Sequence, residues 1–209
     1  IDTTAASAPV FALASDTGSS ATDGISRLGS ITVNGLQSGS VWEFTTNNGG
    51  TWTAGSGNSF TLSEGTYAAG TIQVRQTDAA GNTSQLGTNA GAIVIDTTAP
   101  VVALNRVANS ANGLYDAGFQ INAGSSASLT VSVNGTPLSA LQIADQFSSS
   151  TSGSVTTYLA KAGAFNGSEV IVVTVSETDL AGNTSSATRT LAAIDTTAAS
   201  DRKSTRLNS

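Results

Sequence analysis

The segment Ile95-Asp96-Thr97-Thr98-Ala99 decides how this chain is organised, because the same five residues also occur at Ile1–Ala5 and at Ile194–Ala198. The copies are separated by 94 residues and then by 99 residues. Self-similarity at a fixed period indicates a repeat architecture. A period of about 100 residues is also a common domain size. We therefore expect two successive domains, each preceded by this short segment.

A second motif, Asp-x-Ala-Gly-Asn-Thr-Ser, keeps the same phase. It occurs at Asp78–Ser84 and at Asp179–Ser185, a period of 101 residues. Residues 1–7 and 194–200 are identical, so we expect a third repeat to begin there, and a chain that starts with Ile is expected to be an internal piece. The predicted organisation is an incoming linker 1–8, repeat one 9–95, a linker 96–100, a divergent repeat two 101–194 and the start of the next linker 195–200.

Short apolar runs separated by Gly- and Asn-rich turns predict β-strands in both repeats. In repeat one the predicted strands are Val10–Ala14, Ser30–Asn34, Val41–Thr46, Ser59–Leu62, Thr71–Thr77 and Ala92–Ile95. In repeat two they are Val101–Leu104, Phe119–Ile121, Leu129–Val133, Val155–Leu159, Val170–Val175 and Thr190–Ile194. This number of strands per repeat predicts an all-β fold with two tandem immunoglobulin-like β-sandwiches arranged end to end.

The composition excludes several classes of function. The chain has no Cys and no His, so disulfides, thiolate metal sites and Ser-His-Asp or Cys-His nucleophile pairs are excluded. We therefore expect no enzymatic activity. The ligands that remain for a metal are carboxylate and carbonyl oxygens, which favour Ca²⁺ or Mg²⁺.

The net charge of −6 argues against nucleic acid as a partner. No apolar run approaches the roughly 20 residues that a membrane-spanning helix needs, so we expect no membrane insertion. The last nine residues, 201–209, differ in composition from the rest and resemble the translation of a common sequencing adapter. We expect them to be an artefact.

Several stretches of repeat one resemble a known family. They are Thr32-Val33-Asn34-Gly35-Leu36, Trp42-Glu43, Gly50-Thr51-Trp52, Gly65–Gly70 and Ile72–Asp78. These stretches look like the bacterial immunoglobulin-like (Big-type) tandem repeats of giant secreted or cell-surface adhesins. The resemblance covers nearly all of repeat one. Repeat two shares mainly the linker and the second motif, and its first loop, Asn105–Asp116, departs from the family pattern.

The resemblance implies a stalk or spacer role on the bacterial surface, in cell adhesion or biofilm formation. Its partners would be neighbouring repeats of the same chain, and a host or matrix ligand would bind only through distal domains. The family also implies calcium at domain junctions.

The predicted topology converts the acidic residues into a site hypothesis. The loop after the first strand of repeat one and the loop before the last strand of repeat two are expected to meet the linker between them. The acidic residues brought to this junction would be Asp16, Asp23, Asp96 and Asp179, and Glu64 and Glu177 are weaker candidates. Asp2 and Asp78 would meet in the same way at the N-terminal pole of repeat one.

Such a junction would need a cation. Two carboxylates 4 Å apart repel by about 4 kcal/mol at an effective dielectric constant of 20. Ca²⁺ accepts about 6–8 oxygen ligands in flexible geometry, and the Asp-rich loops supply them. We therefore predict Ca²⁺ at the junction. The alternative is that each Asp is a turn residue whose side chain bonds its own backbone.

Aromatic residues leave other roles open. Trp42 is predicted to fill the core and Tyr67 to form a tyrosine corner, a packing device of β-sandwiches. Trp52 and the Ser/Thr-rich stretch Ser148–Ser154 motivate an alternative function, a glycan- or host-protein-binding module that uses exposed loops. A third possibility is an accessory domain of a secreted hydrolase.

Overall fold

The computed structural model describes residues 1–109 and 115–196. The predicted adapter tail 201–209 and linker residues 197–200 lie outside these ranges, as do residues 110–114 of the divergent loop. The chain divides into two compact units. The first unit comprises residues 1–99 together with residues 178–183, and the second comprises the described residues of 100–177 and 184–196. In the described ranges almost all regular structure is β-strand, so the all-β prediction is confirmed.

Ten strands form the first unit. They are β1 (Val10–Leu13), β2 (Ile25–Ser26), β3 (Ser30–Asn34), β4 (Val41–Thr45), β5 (Thr53–Ala54), β6 (Ser59–Thr61), β7 (Gly65–Tyr67), β8 (Gln73–Thr77), β9 (Gly87–Thr88) and β10 (Ile93–Ile95). They make three sheets with the orders β1-β3-β6, β2-β10-β7 and β5-β4-β8-β9. The pairing of β10 with β2 is parallel, and the other registered pairings in this unit are antiparallel.

Alternating side chains of these strands build one core. Ile31 and Val33 of β3 and Val74 of β8 are almost fully buried, although they belong to different sheets. Phe44 of β4 stacks on Phe60 of β6, with ring centroids 4.1 Å apart. Because two sheets share one apolar interior, the unit is a β-sandwich-like arrangement.

Two aromatic predictions are confirmed in the first unit. Trp42 is only 7% exposed, lies in the core and donates its indole N–H to the Gly57 carbonyl over 3.0 Å. A Cβ on Gly55 would lie 2.1 Å from the Trp42 ring, so a side chain is excluded there. Tyr67 donates its hydroxyl to the Ser63 carbonyl over 3.0 Å, which is the backbone bond expected of a tyrosine corner.

Eight strands and one helix form the second unit. They are β11 (Ala103–Ala108), β12 (Asp116–Asn122), β13 (Ser128–Val133), β14 (Thr136–Pro137), α1 (Ala140–Gln146), β15 (Phe147–Ser152), β16 (Val155–Ala160), β17 (Ile171–Thr178) and β18 (Thr184–Thr190). Two four-stranded sheets result, with the orders β11-β12-β16-β15 and β14-β13-β17-β18. Phe119 of the first sheet and Val131 and Val173 of the second are fully buried in one core cluster.

The predicted strand Thr190–Ile194 is wrong, because the strand at this place is Thr184–Thr190. Leu191 and Ile194 are buried apolar residues, which explains the error. The backbone between them does not continue the sheet. Ala192 donates its N–H to the Asp116 carboxylate over 2.7 Å, and the Ala193 carbonyl accepts the Asp116 N–H.

That carboxylate is the buried member of an ion pair with Arg106, whose side chain is 41% exposed. Asp116 is 0% exposed, and both its oxygens accept the Nε–H of Arg106 at 2.8 Å, while Arg106 Nη2 lies 2.7 Å from Oδ1. The hydrogen bonds and the negative charge of Asp116 raise the pKa of the Arg106 guanidinium further above the usual range of an arginine. The pair fixes β11, β12 and the chain after β18 in one place.

Candidate functional site

The two Asp-x-Ala-Gly-Asn segments fold into the same loop. In the first, Asp78 N–H donates to the Asn82 carbonyl over 3.1 Å, and Gly81 N–H donates to the Asp78 carbonyl over 3.1 Å. In the second, the equivalent distances are 3.0 Å from Asp179 to Asn183 and 3.2 Å from Gly182 to Asp179. Both glycines have a φ of 90°, in the left-handed region that favours Gly, which explains why the motif repeats it.

The Asp carboxylate holds each loop closed. Asp78 Oδ1 accepts the N–H groups of Ala80 and Asn82, and Oδ2 accepts the Asn82 side-chain amide, all at 2.9 Å. Asp179 accepts the backbone and side-chain N–H groups of Asn183 at 2.9 Å. The Asn82 side chain lowers the pKa of Asp78. For Asp179, burial raises the pKa, but the hydrogen bonds from Asn183, Gly182 and Ala181 together outweigh it and the net direction is downward.

The Asn side chain also reaches a linker in both loops. Asn82 Nδ2 donates to the backbone carbonyl of Asp2 over 3.2 Å. Asn183 Nδ2 donates to the backbone carbonyl of Asp96 over 2.8 Å. The same hydrogen bond, from the Asn side chain of a loop motif to the backbone carbonyl of a linker Asp, therefore occurs twice in the chain. In both copies the donor is the side-chain amide of the loop Asn, and the acceptor is the backbone carbonyl of the linker Asp.

The linker Asp fixes its own carbonyl. Asp2 Oδ1 accepts the Thr4 N–H over 2.9 Å, and Asp96 Oδ1 accepts the Thr98 N–H over 2.9 Å. These are turns in which an Asp side chain replaces a backbone acceptor. Asp2 and Asp96 therefore act as turn residues whose side chains bond the nearby backbone, which is the alternative to metal binding that the sequence left open.

In the first unit, the loop 178–183 is also held through its carbonyl groups. Thr17 Oγ1 donates to Ala181 O over 2.6 Å, Ser19 N–H donates to Leu180 O over 3.3 Å, and Arg27 donates to Gly182 O over 2.7 Å. A Cβ on Gly18 would lie 1.9 Å from Leu180 O. The absence of a side chain at Gly18 is therefore a condition for these contacts.

Linker 96–98 is bound along its length in the same unit. Asp96 N–H donates to Ser26 O over 3.0 Å. The hydroxyl groups of Thr97 and Thr98 both donate to the Glu64 carboxylate, the latter over 3.0 Å. The Thr97 hydroxyl is the main cause of the lowered pKa of Glu64. All three polar residues of the Asp-Thr-Thr motif therefore have partners.

The segments that carry Asp16, Asp96 and Asp179 meet in one hydrogen-bond network of the first unit. Asp16 Oδ2 accepts the Gly24 N–H over 2.9 Å, and Asp16 Oδ1 is buried without a hydrogen-bond partner. Asp23 Oδ1 accepts the Ile25 N–H over 3.0 Å. Asp2 and Asp78 meet through Asn82.

Within residues 1–109 and 115–196, no group of three or more acidic side chains is placed to hold a metal ion. The predicted Ca²⁺ site stays a prediction.

The two weaker metal candidates have other partners. Glu64 binds the linker threonines, as described above. Glu177 is 8% exposed, and its two oxygens accept the Gly124 N–H over 2.9 Å and the Ser126 hydroxyl over 3.0 Å.

Sequence reasoning missed Gln76, which is 1% exposed. Its Nε2 donates to Ser7 O over 2.8 Å and to Gly35 O over 2.9 Å, and its Oε1 accepts the Gln37 N–H over 2.8 Å. Gln76 thus binds the end of linker 1–8. The available signal was a polar residue at a core-facing position of an alternating strand, two residues before the motif Asp.

Trp52 belongs to a surface cluster with two charged residues. The guanidinium carbon of Arg75 lies 4.0 Å from the ring centroid of Trp52, and Arg75 Nε donates to Glu43 over 2.6 Å. One face of the Trp52 ring is therefore covered by a cation of the same chain.

No family model matches this chain, and no curated protein matches it. In the part of the chain that the structure describes, none of the helical structure has the length and apolar character needed to cross a membrane.

Proposed function

We propose that this chain is a spacer segment, a stretch of tandem immunoglobulin-like repeats that forms the stalk of a bacterial surface adhesin. The observation that carries the proposal is the duplicated bond from loop to linker, Asn82 to Asp2 O and Asn183 to Asp96 O. A chain whose repeated residues fix its linkers is suited to act as a spacer that keeps other parts of a protein apart. The adhesin class, its secreted or cell-surface location and its role in adhesion or biofilm formation follow from the sequence resemblance.

The density of linker contacts supports this role. A free linker of five residues samples many conformations, and fixing each residue costs roughly 1–2 kcal/mol of conformational entropy. Linker 96–98 offsets that cost through Asn183, Ser26 and Glu64. Each such bond contributes about 0.5–1.5 kcal/mol. A spacer needs its linkers ordered, whereas a module that binds a ligand through its loops does not.

Calcium is the second part of the proposal. The available donors are all oxygens, which suits Ca²⁺, and the unpartnered buried Oδ1 of Asp16 is the atom that most needs a cation. Asp16, Asp23, Asp96 and Asp179 would hold the ion at the junction, and Asp2 and Asp78 would hold one at the N-terminal pole. Bound Ca²⁺ would neutralise these carboxylates and stiffen the linker.

A calorimetric titration of the full chain with CaCl₂ tests the metal. Asp16→Asn should remove the binding heat of the junction ion and leave that of the ion at Asp2 and Asp78, whereas Asp145→Asn, which changes an exposed acid of α1, should leave both unchanged. Equal heats in both variants would contradict the assignment of Asp16. Absence of heat in the unmodified chain would remove calcium and leave the hydrogen-bonded spacer.

Small-angle scattering tests the spacer itself. We expect a narrow distance distribution that broadens when chelator is added and broadens again when both Asn82 and Asn183 are changed to Ala. A distribution that is unchanged in the double variant would contradict the linker-anchoring role. Retention of the chain on a glycan array, lost in Trp52→Ala, would favour the alternative binding module instead.

A further inference from the structure

The outer strand β15 of the second unit has an unpaired edge. β15 lies at the end of the sheet β11-β12-β16-β15 and pairs with β16 from Phe147 to Ser152. The five residues Ser148–Ser152 are all exposed. They are serines and one threonine, so this edge carries no charge.

The register shows which backbone groups point outward. Lys161 N–H donates to Gln146 O over 2.8 Å, which makes these two residues a hydrogen-bonded pair at the end of the ladder. In an antiparallel ladder the hydrogen-bonded pairs alternate, so Ser148, Ser150 and Ser152 bond to β16. The N–H and C=O groups of Ser149 and Thr151 therefore point away from the sheet. In the described chain no backbone hydrogen bond to another segment satisfies them.

The other outer strands of this unit are protected, and β15 is not. β14 contains Pro137, and β18 contains the exposed Arg189. β11 contains Arg106 and a register irregularity between Val107 and Ala108. Proline, charge and bulges are the devices that stop edge strands from pairing with other chains. β15 has six residues with a continuous register and none of these three devices. Helix α1 lies beside the start of the strand, where Ile143 and Ala144 line a pocket with Phe147 and Ser149.

We propose that β15 is a homotypic docking edge, at which a second copy of this chain pairs antiparallel with the first about a two-fold axis through Ser150. Ser149 of each copy then faces Thr151 of the other, and each of these pairs exchanges both N–H···O bonds. The four outward backbone groups of each copy are satisfied. The inference goes beyond the spacer role and does not depend on it.

A second copy is the occupant that this edge fits best. An antiparallel two-fold pairing places hydroxyl side chains opposite hydroxyl side chains along the whole strand. Two chains of net charge −6 repel each other, and the uncharged edge places no like charges in direct opposition. A charged partner peptide would find no complementary charge on Ser148–Ser152.

The fold already uses cross-strand hydroxyl pairs of this kind. Thr151 and Thr156 are 3.0 Å apart at their Oγ1 atoms, on β15 and β16. Ser128 and Ser176 are 2.8 Å apart on β13 and β17. The same contact between Ser148 and Ser152 of two copies needs no new chemistry.

One such pairing is weak, because a single strand pair buries less than the roughly 1,200 Å² of a standard interface. In an array of repeats, several weak edges act together, and the apparent affinity rises by orders of magnitude through effective concentration. The expected behaviour of the isolated chain is therefore a concentration-dependent dimer.

Disulfide trapping tests the geometry, since the chain has no Cys of its own. In the proposed pairing Ser150 faces Ser150 in a non-hydrogen-bonded pair with Cα atoms about 4.5 Å apart, which lies within the disulfide range. Ser150→Cys should form a covalent dimer under mild oxidation. Ser186→Cys, at an exposed position of β18, should form it at least about tenfold more slowly. Equal rates, or no dimer from Ser150→Cys, would overturn the proposal.

A second variant separates edge pairing from chance collisions of thiols. Thr151→Pro removes one outward N–H and leaves the bonds to β16 in place, so circular dichroism should stay unchanged. Combined with Ser150→Cys, it should abolish the trapped dimer. In the otherwise unmodified chain it should remove the concentration dependence of the sedimentation coefficient. A folded double variant that still dimerises at the original rate would also overturn the proposal.

Discussion

Gln76 and Glu177 occupy the same position in the two repeats, two residues before the motif Asp, yet their buried side chains serve opposite hydrogen-bond partners. Gln76 donates to two backbone carbonyls and accepts one N–H. Glu177 accepts an N–H and a hydroxyl and donates nothing. The residue at this strand position is therefore an amide where it must bond carbonyl groups and a carboxylate where it must bond an N–H and a hydroxyl.

Exchanging the two residues should have unequal effects. Gln76→Glu places a buried carboxylate against the carbonyls of Ser7 and Gly35, so we expect a loss of about 3 kcal/mol in the free energy of unfolding. Glu177→Gln keeps one acceptor and offers its amide to the Ser126 hydroxyl, which can accept, so its loss should be below about 1 kcal/mol. Urea unfolding at neutral pH measures both. Equal losses would contradict the hydrogen-bond assignments.

Gly18 should be essential for the contacts of loop 178–183. Gly18→Ala adds a Cβ that would lie 1.9 Å from Leu180 O, and it also forces a side chain into a φ of 102°. Gly39→Ala is the matched control, because its φ is 82° and its Cβ would meet no atom within 4 Å. Both variants force a side chain into a positive φ at a cost of roughly 1–2 kcal/mol, and only the first displaces the loop.

Hydrogen exchange at the Ser19 amide is the direct measurement, since that group donates to Leu180 O. We expect its protection to fall by about tenfold or more in Gly18→Ala, because tenfold corresponds to roughly 1.4 kcal/mol of lost local stability. Gly39→Ala should leave it as in the unmodified chain. Unaltered protection in Gly18→Ala would show that the loop contact is not maintained in solution.

Six strands of repeat one could be predicted because their apolar residues alternate, whereas the two- and three-residue strands β2, β5, β7 and β9 are too short to show a pattern and were missed. The predicted Ser30–Asn34 is β3 as observed, and Val41–Thr46 differs from β4 by one residue. β15 could not be predicted in this way, because Phe147 is its single apolar residue and a run of hydroxyl residues has no hydrophobic period. Helix α1 was missed although Ser139 and Gln142 form its capping box. Its seven residues are too few to show a helical period.

The residues of the candidate site were also visible in the sequence, but their partners were not. The repetition of Asp78 and Asn82 as Asp179 and Asn183 marked them as important. Sequence spacing shows that residues recur, and it does not show whether a carboxylate faces a cation or a backbone N–H. That distinction depends on contacts between segments about 80 residues apart, such as Asn82 with Asp2.

The closed loop of the motif predicts a specific acid sensitivity. The hydrogen bonds of Asn82 lower the pKa of Asp78 below its ordinary value of 3.8. A carboxyl whose pKa is depressed in the folded state stabilises the fold above that ordinary value, and the stabilisation is lost as the pH falls through the folded pKa. The free energy of unfolding should therefore decrease as the pH is lowered below about 4.

Asn82→Ala removes the main cause of this shift, so its stability should depend less steeply on pH in the acid range, in addition to a general loss at all pH values. Asn58→Ala, at an exposed position of the same unit, should retain the original slope. Urea midpoints followed by the fluorescence of Trp42 and Trp52 between pH 7 and pH 2.5 give the comparison. Parallel curves for Asn82→Ala and the unmodified chain would assign the acid sensitivity to other groups.

The two arginine–carboxylate pairs should differ sharply in their contribution to stability. Arg106 itself is 41% exposed, but Arg106→Met leaves the 0% exposed Asp116 without its cation, with the Ala192 N–H still bonded to it, and removing the partner of a buried charge is strongly destabilising. Arg75→Met breaks a pair whose side chains are 34% and 36% exposed, so the remaining Glu43 is solvated by water. We expect Arg106→Met to lower the melting temperature of the second unit on the order of 10 °C, and Arg75→Met to change it little. Calorimetry measures both, and fluorescence assigns the effect, because both tryptophans lie in the first unit. A similar calorimetric shift in the two variants would show that burial of Asp116 does not control the energy of its ion pair.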